Sequence, residues 1–351
     1  MTNNRDTAIR RSPRVILVTV LLAFLVIPAY GLFTKIGMAG MSFLKIGVGR
    51  STGMGDAFVA VADDATAAYW NPAGLALVPG RQALVNHIDW IADINHEFVS
   101  VVLPTTSGSF GFNVTALTMG EMEETTIEDY QGTGFMFTGT DLAFGASYAR
   151  MITEKLAFGL SAKVLSEKIW DVSATGAAFD LGIHYNTGWR NLRLAMAIAN
   201  FGPDMAFHGS QLNFTHDPGW EWPWTREPIP GTYLTENFSL PVVFRFGVAY
   251  DFLDDGNSRL TAAADLNHFN DVNEKVNLGL EYNYRVLTAR AGYIVNTDMS
   301  YGEDIGFRTG LSAGIGLKLR PAETFGLGFD YSYRDLARLG GSHRLTLAVD
   351  F

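Results

Sequence analysis

Cysteine is absent from this 351-residue sequence. Its absence excludes a disulfide framework, thiol catalysis and any cysteine-based metal site. Charge is sparse: Asp, Glu, Lys and Arg make up 18% of the residues, where soluble proteins carry about 25%. Acidic residues outnumber basic ones 36 to 26, and the net charge of −10 argues against a nucleic-acid partner. Beyond residue 27 no apolar run reaches the ~20 residues that a membrane-spanning helix needs. The seven histidines show no metal-ligand spacing; His87 and His184 stand alone. Gly47, Gly49, Gly53 and Gly55 lack the following Lys-Ser/Thr that would cradle a phosphate, and no strand–helix context follows them. No cofactor or metal is expected, and the chain reads as a non-enzyme.

What is present begins with an export signal. Arg10, Arg11 and Arg14 precede Val15–Ile27, apolar apart from Thr19. Pro28 interrupts the run, and Ala29-Tyr30-Gly31 offers small residues for cleavage. Residues 1–31 therefore read as a signal peptide, with a retained anchor as the competing reading.

From residue 80 onward the sequence alternates with period two. Leu156, Phe158, Leu160, Ala162 and Val164 oppose Ala157, Gly159, Ser161 and Lys163. Phe179, Leu181, Ile183 and Tyr185 oppose Ala178, Asp180, Gly182 and His184. The same holds around Phe244–Tyr250, Leu278–Tyr284 and Phe325–Tyr333. One apolar face and one small or polar face is the strand signal. A soluble sandwich alternates too, but does not require the second face to be so consistently Gly, Ala, Ser and charge. An exported membrane protein without a spanning helix is left with the closed barrel, which satisfies its backbone in lipid. The 37 glycines and an aromatic content of 13% suit apolar strands with aromatic girdles.

Fourteen segments are countable: 81–90, 95–104, 107–118, 139–151, 154–168, 174–186, 191–201, 239–251, 257–267, 274–284, 287–297, 304–318, 322–334 and 342–351. If both chain ends are periplasmic, the even connections are periplasmic and all are short. The two longest connections, 119–138 and 202–238, then both fall outside, which is the usual asymmetry of such barrels. Leu345, Leu347, Val349 and Phe351 share one face of the last segment, which must pair with the first to remove sheet edges. The fold class expected is thus all-β: a transmembrane outer-membrane barrel of about fourteen antiparallel strands over 80–351, with a plug over 32–79.

The plug is read from residues 43–76. Gly47, Gly49, Gly53 and Gly55 permit positive φ and close backbone approach. Asp63 or Asp64 is placed to cap a short helix through Ala65, Ala67 and Ala68, which Pro72 stops. Phe58, Val61, Ala62, Ala65 and Tyr69 fall at helical spacing and offer one apolar face. Asn71-Pro72-Ala73-Gly74 reads as a tight turn anchoring the plug to the first strand, since Asn and Gly tolerate unusual backbone angles and Pro fixes φ between them. Gly53, Gly55, Asp63, Asp64, Asn71, Pro72 and Gly74 are the candidate gate residues.

Phe43–Gly55 (FLKIGVGRSTGMG) followed by Ala57–Ala76 (AFVAVADDATAAYWNPAGLA) resembles the amino-terminal signature of the PorV/PorQ family. That family belongs with the FadL-like outer-membrane barrels, which share the ADDA and NPA pieces. The closing HRLTLAVDF is similar to its last strand. The match is dense over roughly thirty residues and looser over the strands, whose signal is weak segment by segment. The resemblance implies a bacterial outer-membrane barrel of about fourteen strands with an amino-terminal plug.

Inside the barrel, parity points Lys163, Arg193, Arg245, Arg290 and Arg308 inward with Asp180, Asp265, Glu281 and Asp330. Structural pairing is favoured over a selectivity filter, since an unpaired buried charge is costly. Ser161, Asp180 and His184 match a hydrolase triad in residue type, but a polar lumen explains them more simply. The long connection 202–238 carries Trp220, Trp222 and Trp224 among four prolines, and is read as a docking surface or lid.

Two functions follow. Resemblance to PorV/PorQ implies a part in type IX-like secretion, the barrel docking or shuttling exported cargo or secretion components. The alternative is a FadL-like passive transporter of fatty acids or other hydrophobic molecules past a shifting plug. The first expects outer loops that bind protein; the second expects a continuous apolar pocket beside the plug. The FLKIGVG opening and the short mature length favour the first. Outer-membrane lipid is a partner in both.

Overall fold

The computed structural model describes residues 40–189, 191–216, 229–296, 310–322 and 325–351. Fourteen long strands form one sheet: β1 (Gln82–Asp89), β2 (Asn95–Thr105), β3 (Gly108–Thr118), β4 (Gly139–Met151), β5 (Leu156–Ile169), β6 (Val172–Asn186), β7 (Arg193–Phe201), β8 (Val243–Asp254), β9 (Ser258–Phe269), β10 (Lys275–Tyr284), β11 (Leu287–Asn296), β12 (Leu311–Ala322), β13 (Phe325–Asp335) and β14 (Gly341–Asp350). Each pairs antiparallel with its sequence neighbours. β14 closes on β1 in a register running from Gln82↔Asp350 to Asp89↔His343. The ring leaves no long strand with an open edge, so backbone groups bond strand to strand without water.

Alternation decides which face meets lipid. Phe158, Leu160, Val164, Phe179, Leu181, Leu280, Phe329 and Leu345 are exposed on the outer wall, while Ala157, Ser161, Lys163, Asp180 and Asp265 are buried within. An exposed apolar wall would be a liability in water; in a bilayer it is the stable choice. Aromatics flank it at both ends, with Tyr282 and Tyr284 toward one mouth and Tyr331 and Tyr333 toward the other.

The expected strands agree with the observed ones to within a few residues at most ends. β12 starts at Leu311 rather than 304; residues 297–309 lie outside the described ones. The long β3–β4 and β7–β8 connections leave the same end of the ring. The first carries a small hairpin of Met122–Glu123 with Met136–Phe137. The second carries His208–Gly209, which extends β6, and a hairpin of Asn213–His216 with Ile229–Thr232.

Residues 40–79 fill the ring. They comprise 3-10 turns at Ser42–Lys45, Gly49–Met54 and Pro72–Leu77 and one short helix, α1 (Ala67–Trp70). The Met41 amide donates to Glu167 Oε2 at 2.8 Å, and Lys45 Nζ pairs with Asp271 at 2.5 Å. Both partners stand at the long-connection mouth. The segment then leaves by Gly80 into β1 at the opposite mouth, so it runs through the barrel from end to end.

Three local expectations change. The helix covers only Ala67–Trp70, and Phe58, Val61, Ala62 and Ala65 lie in turns before it. All are buried anyway, because a segment walled in on every side has no solvent face to select helical periodicity. The residue capping α1 is Thr66, with no side-chain cap bond; Asp64 instead accepts from the Thr66 amide at 2.8 Å. The Asn71-Pro72-Ala73-Gly74 tight turn, closed by the Gly74 amide on the Asn71 carbonyl at 2.9 Å, does not stand alone but opens a 3-10 helix: Asn71 is its N-cap, its side chain accepting from the Ala73 amide at 3.1 Å, and Pro72 fills the first position. Gly74 does not have positive φ. Its missing Cβ makes room for the Ala62 carbonyl.

The topology has a direct test. External protease on intact cells is expected to cut first within 119–138 or 202–238. Cleavage confined to the short β8–β9 turn, Leu253–Asn257, would show the opposite orientation.

Candidate functional site

The plug packs on the wall through an apolar cluster, in which Phe58, Tyr69 and Leu75 join Leu84, Phe98 and Val102, and is tied to it by buried charge. Arg50 donates to Asp63, to Asp64 at 2.7 Å and to Glu281 of β10 at 2.8 Å. Arg290 of β11 stands directly across from Glu281, donates to it at 2.7 Å, and reaches Asp330 of β13 at 2.5 Å. Two guanidinium groups thus link four carboxylates, two from the plug and two from the wall. Removing one partner of a buried pair typically costs about 3–5 kcal/mol, because its mate is left uncompensated.

A second group sits on β13 and β14. Asp56 pairs with Arg334 at 2.7 Å. Arg344, wholly buried, donates to the Gly47 carbonyl at 2.6 Å and to the Thr52 hydroxyl.

A third group fixes the middle of the plug. Arg245 of β8 lies over the adjoining Tyr69 and Trp70 rings at 5.3 and 5.1 Å, and donates to both of their carbonyls at 3.2 and 3.3 Å. These carbonyls end α1 and have no partner within it, so the cation both satisfies them and meets the negative helix end. Asp265 of β9 accepts from the Phe58 and Val59 amides at 2.6 and 2.9 Å. The Tyr69 hydroxyl donates to the Leu44 carbonyl at 2.9 Å.

Of the candidate gate residues, Asp63 and Asp64 belong to the Arg50 network. Asn71 donates to the Val59 carbonyl at 3.1 Å and to the Ile183 carbonyl of β6 at 3.2 Å. Gly53 packs against Gly314 of β12, and Gly55 has φ +64° against the backbone of β11. Close approach from the other side falls to Gly292, where a Cβ would strike the Met54–Gly55 backbone.

Among the lumen charges, Lys163 and Asp180 pair with each other at 2.6 Å on neighbouring strands and do not touch the plug. Arg193 pairs with Asp251 at 2.5 Å. Arg308 and Trp220, Trp222 and Trp224 lie outside the described residues. Ser161, Asp180 and His184 do not assemble as a triad: Ser161 bonds to Ser147, Asp180 to Lys163 and the Asn200 amide, and His184 lies 3.3 Å from the Ala60 carbonyl. Arg50, Asp56, Arg334 and Arg344 were not among the residues singled out. Extending the inward parity of β13 and β14 from Ser332 and Thr346 would have found the last two.

The described residues also enclose a cavity of about 860 Å³ at the mouth where β1 begins and β14 ends. The Arg50 network floors it, and Arg81, Arg259, Arg285, Lys318 and Arg320 stand around it.

Comparison with known proteins then identifies the family. The type IX secretion system membrane protein PorP/SprF family matches residues 125–349, well over half of the chain. The chain belongs to the PorP/SprF family. An uncharacterised protein family (UPF0164) matches residues 36–179, which include the plug. The plug stretch that resembles PorV/PorQ lies outside the PorP/SprF match, and that finer assignment remains a resemblance. No curated protein matches the chain. Among solved structures, a FadL homologue from Pseudomonas aeruginosa aligns over 90% of this chain and 99% of its own, at 13% identity and TM-score 0.53. The Pseudomonas putida toluene transporter TodX aligns over 90% and 98%, at 14% identity and TM-score 0.54. The Ralstonia pickettii toluene transporter TbuX aligns over 86% and 96%, at 14% identity and TM-score 0.52. At this identity the likeness establishes the fold. This PorP/SprF-family barrel accordingly lies in the bacterial outer membrane, its apolar wall against lipid.

The lock is testable at Gly292. Gly292→Val is expected to unseat the plug while the strands still close. The variant should keep the parent's heat-modifiable mobility on gels but open more often in planar bilayers. Assembly with parental closure would show that the plug yields locally and is not held by this contact.

Proposed function

We propose that this barrel docks exported protein, or passes it between components, in a type IX-like secretion pathway, as the PorV/PorQ resemblance implies. The plug acts as a fixed closure in this reading. One observation carries it: Arg50 and Arg290 tie the plug to β10, β11 and β13 through buried ion pairs, and this charged network floors the cavity beneath. A hydrophobic molecule entering there would have to desolvate those groups, which favours a role on the barrel's surfaces over passage through it. Membership of a type IX secretion family supports the same reading.

Transport of hydrophobic molecules is the second reading. It is supported by the fold shared with the FadL homologue and the toluene transporters. It is also supported by an apolar cluster at the long-connection mouth, where Met41, Phe43 and Leu44 pack with Met205, Phe238 and Leu240. Withdrawal of residues 40–46 would open an apolar chamber there.

Cross-linking in intact cells followed by affinity purification from solubilised outer membranes separates the two. Docking expects exported proteins or secretion components to co-purify; recovery of bound hydrophobic molecules alone would favour transport. Within the docking reading, Trp222→Ala with Trp224→Ala should lower cargo recovery without affecting assembly, since truncating a tryptophan hot spot costs about 2 kcal/mol or more. Unchanged recovery would remove the docking role from this connection.

A further inference from the structure

The mouth where the two barrel ends meet carries cations that neither the plug nor the wall consumes. Arg81, Arg259, Arg285, Lys318 and Arg320 all line the cavity of about 860 Å³. Arg259 and Lys318 have only loose carboxylate neighbours, Asp254 and Asp350, each at 3.4 Å, and both cations are about half exposed. Arg285 lies over its neighbour Tyr284 at 5.4 Å. Among the described residues, no carboxylate forms an ion pair with Arg81, Arg285 or Arg320.

Strand parity shows that this is not a lipid-facing belt. Lys318 and Arg320 continue the inward row of Ser312, Gly314 and Gly316 on β12, and Arg259 begins the inward row of Thr261 and Ala263 on β9. The cavity floor is already occupied by the cross-linked set around Arg50 and Arg290. The unspent positive charge therefore lies at the rim, in a chain whose net charge is −10. Around the rim five cations stand against two carboxylates, Asp254 and Asp350, and a concave rim with an excess of one sign of charge concentrates the opposite sign.

We propose that this periplasmic mouth is a receptor for an acidic polypeptide segment. Its carboxylates would meet Arg259, Arg285 and Arg320, for which arginine's planar fork offers paired hydrogen bonds. A polypeptide fits better than a phospholipid headgroup because Arg259, Lys318 and Arg320 line the cavity and the cavity has room for several side chains. The site is at the opposite mouth from the long connections, so the proposal stands whether or not those connections dock cargo.

The absence of cysteine makes the test clean. Ser258→Cys, at the cavity wall, would carry a single environment-sensitive dye on the purified full-length barrel. Titration with a short Glu/Gly peptide is expected to give a saturable signal that weakens with salt, as exposed charge contacts do. Arg259→Glu with Arg285→Glu and Arg320→Glu should weaken it at least about tenfold, corresponding to ~1.4 kcal/mol. The same variant should gain response to a Lys/Gly peptide while keeping the parent's heat-modifiable mobility. If the triple variant fails to assemble, Arg285→Glu and Arg320→Glu are read singly and each should weaken the signal. Equal Glu/Gly binding by parent and variants, or a response to anionic phospholipid with none to the peptide, would overturn the proposal.

Discussion

A backbone in hydrocarbon has no water to bond to, and that constraint governs the whole molecule. It forces the strands into a ring and makes the β14–β1 register as important as any contact within the chain. It also reverses the usual meaning of inside and outside. Leucine and phenylalanine cover the wall, and the polar and small residues are left to fill the interior. Whatever closes the lumen must therefore meet a mixed surface, with Gly, Ser, Asp and Arg set among apolar patches such as that of Leu84, Phe98 and Val102.

The plug is composed for that surface. Its own backbone forms only short turns, so many amides and carbonyls need partners from outside the segment. Asp265 and Arg245 supply them directly, accepting from two amides and donating to two carbonyls. The glycines opposite allow main chain to lie against main chain. Buried ion pairs are often a poor source of net stability, because desolvation offsets attraction. What they provide here is a single seating: a shifted plug would leave several charges without partners at once.

How much of this is legible in the sequence varies with the kind of signal. Alternation reveals the strands, as along Phe325–Tyr333, because one face must suit lipid whatever lies within. Glu281 and Arg290 can be placed opposite each other because a short turn fixes their register. The plug's internal structure is much less legible. Phe58, Val61, Ala62 and Ala65 mimic a helical stripe, yet with wall on every side burial carries no periodicity. The ion-pair partners of Arg50 and Asp56 are also hidden. The wall partners, Glu281 and Arg334, come from strands more than two hundred residues away, and parity indicates that a charge faces inward without saying which plug atom it meets.

The bond from Arg344 to the Gly47 carbonyl joins groups 297 residues apart in sequence. It couples two events that are otherwise separate. Arg344 reaches its place only when the last strand has added to the sheet, and that same strand closes the ring on β1. The segment synthesised early thus waits for the segment synthesised last, and the plug is fully seated only in a barrel whose circumference is complete. A ring without this strand would lack the Arg344 bonds to Gly47 and Thr52 that hold the start of the plug.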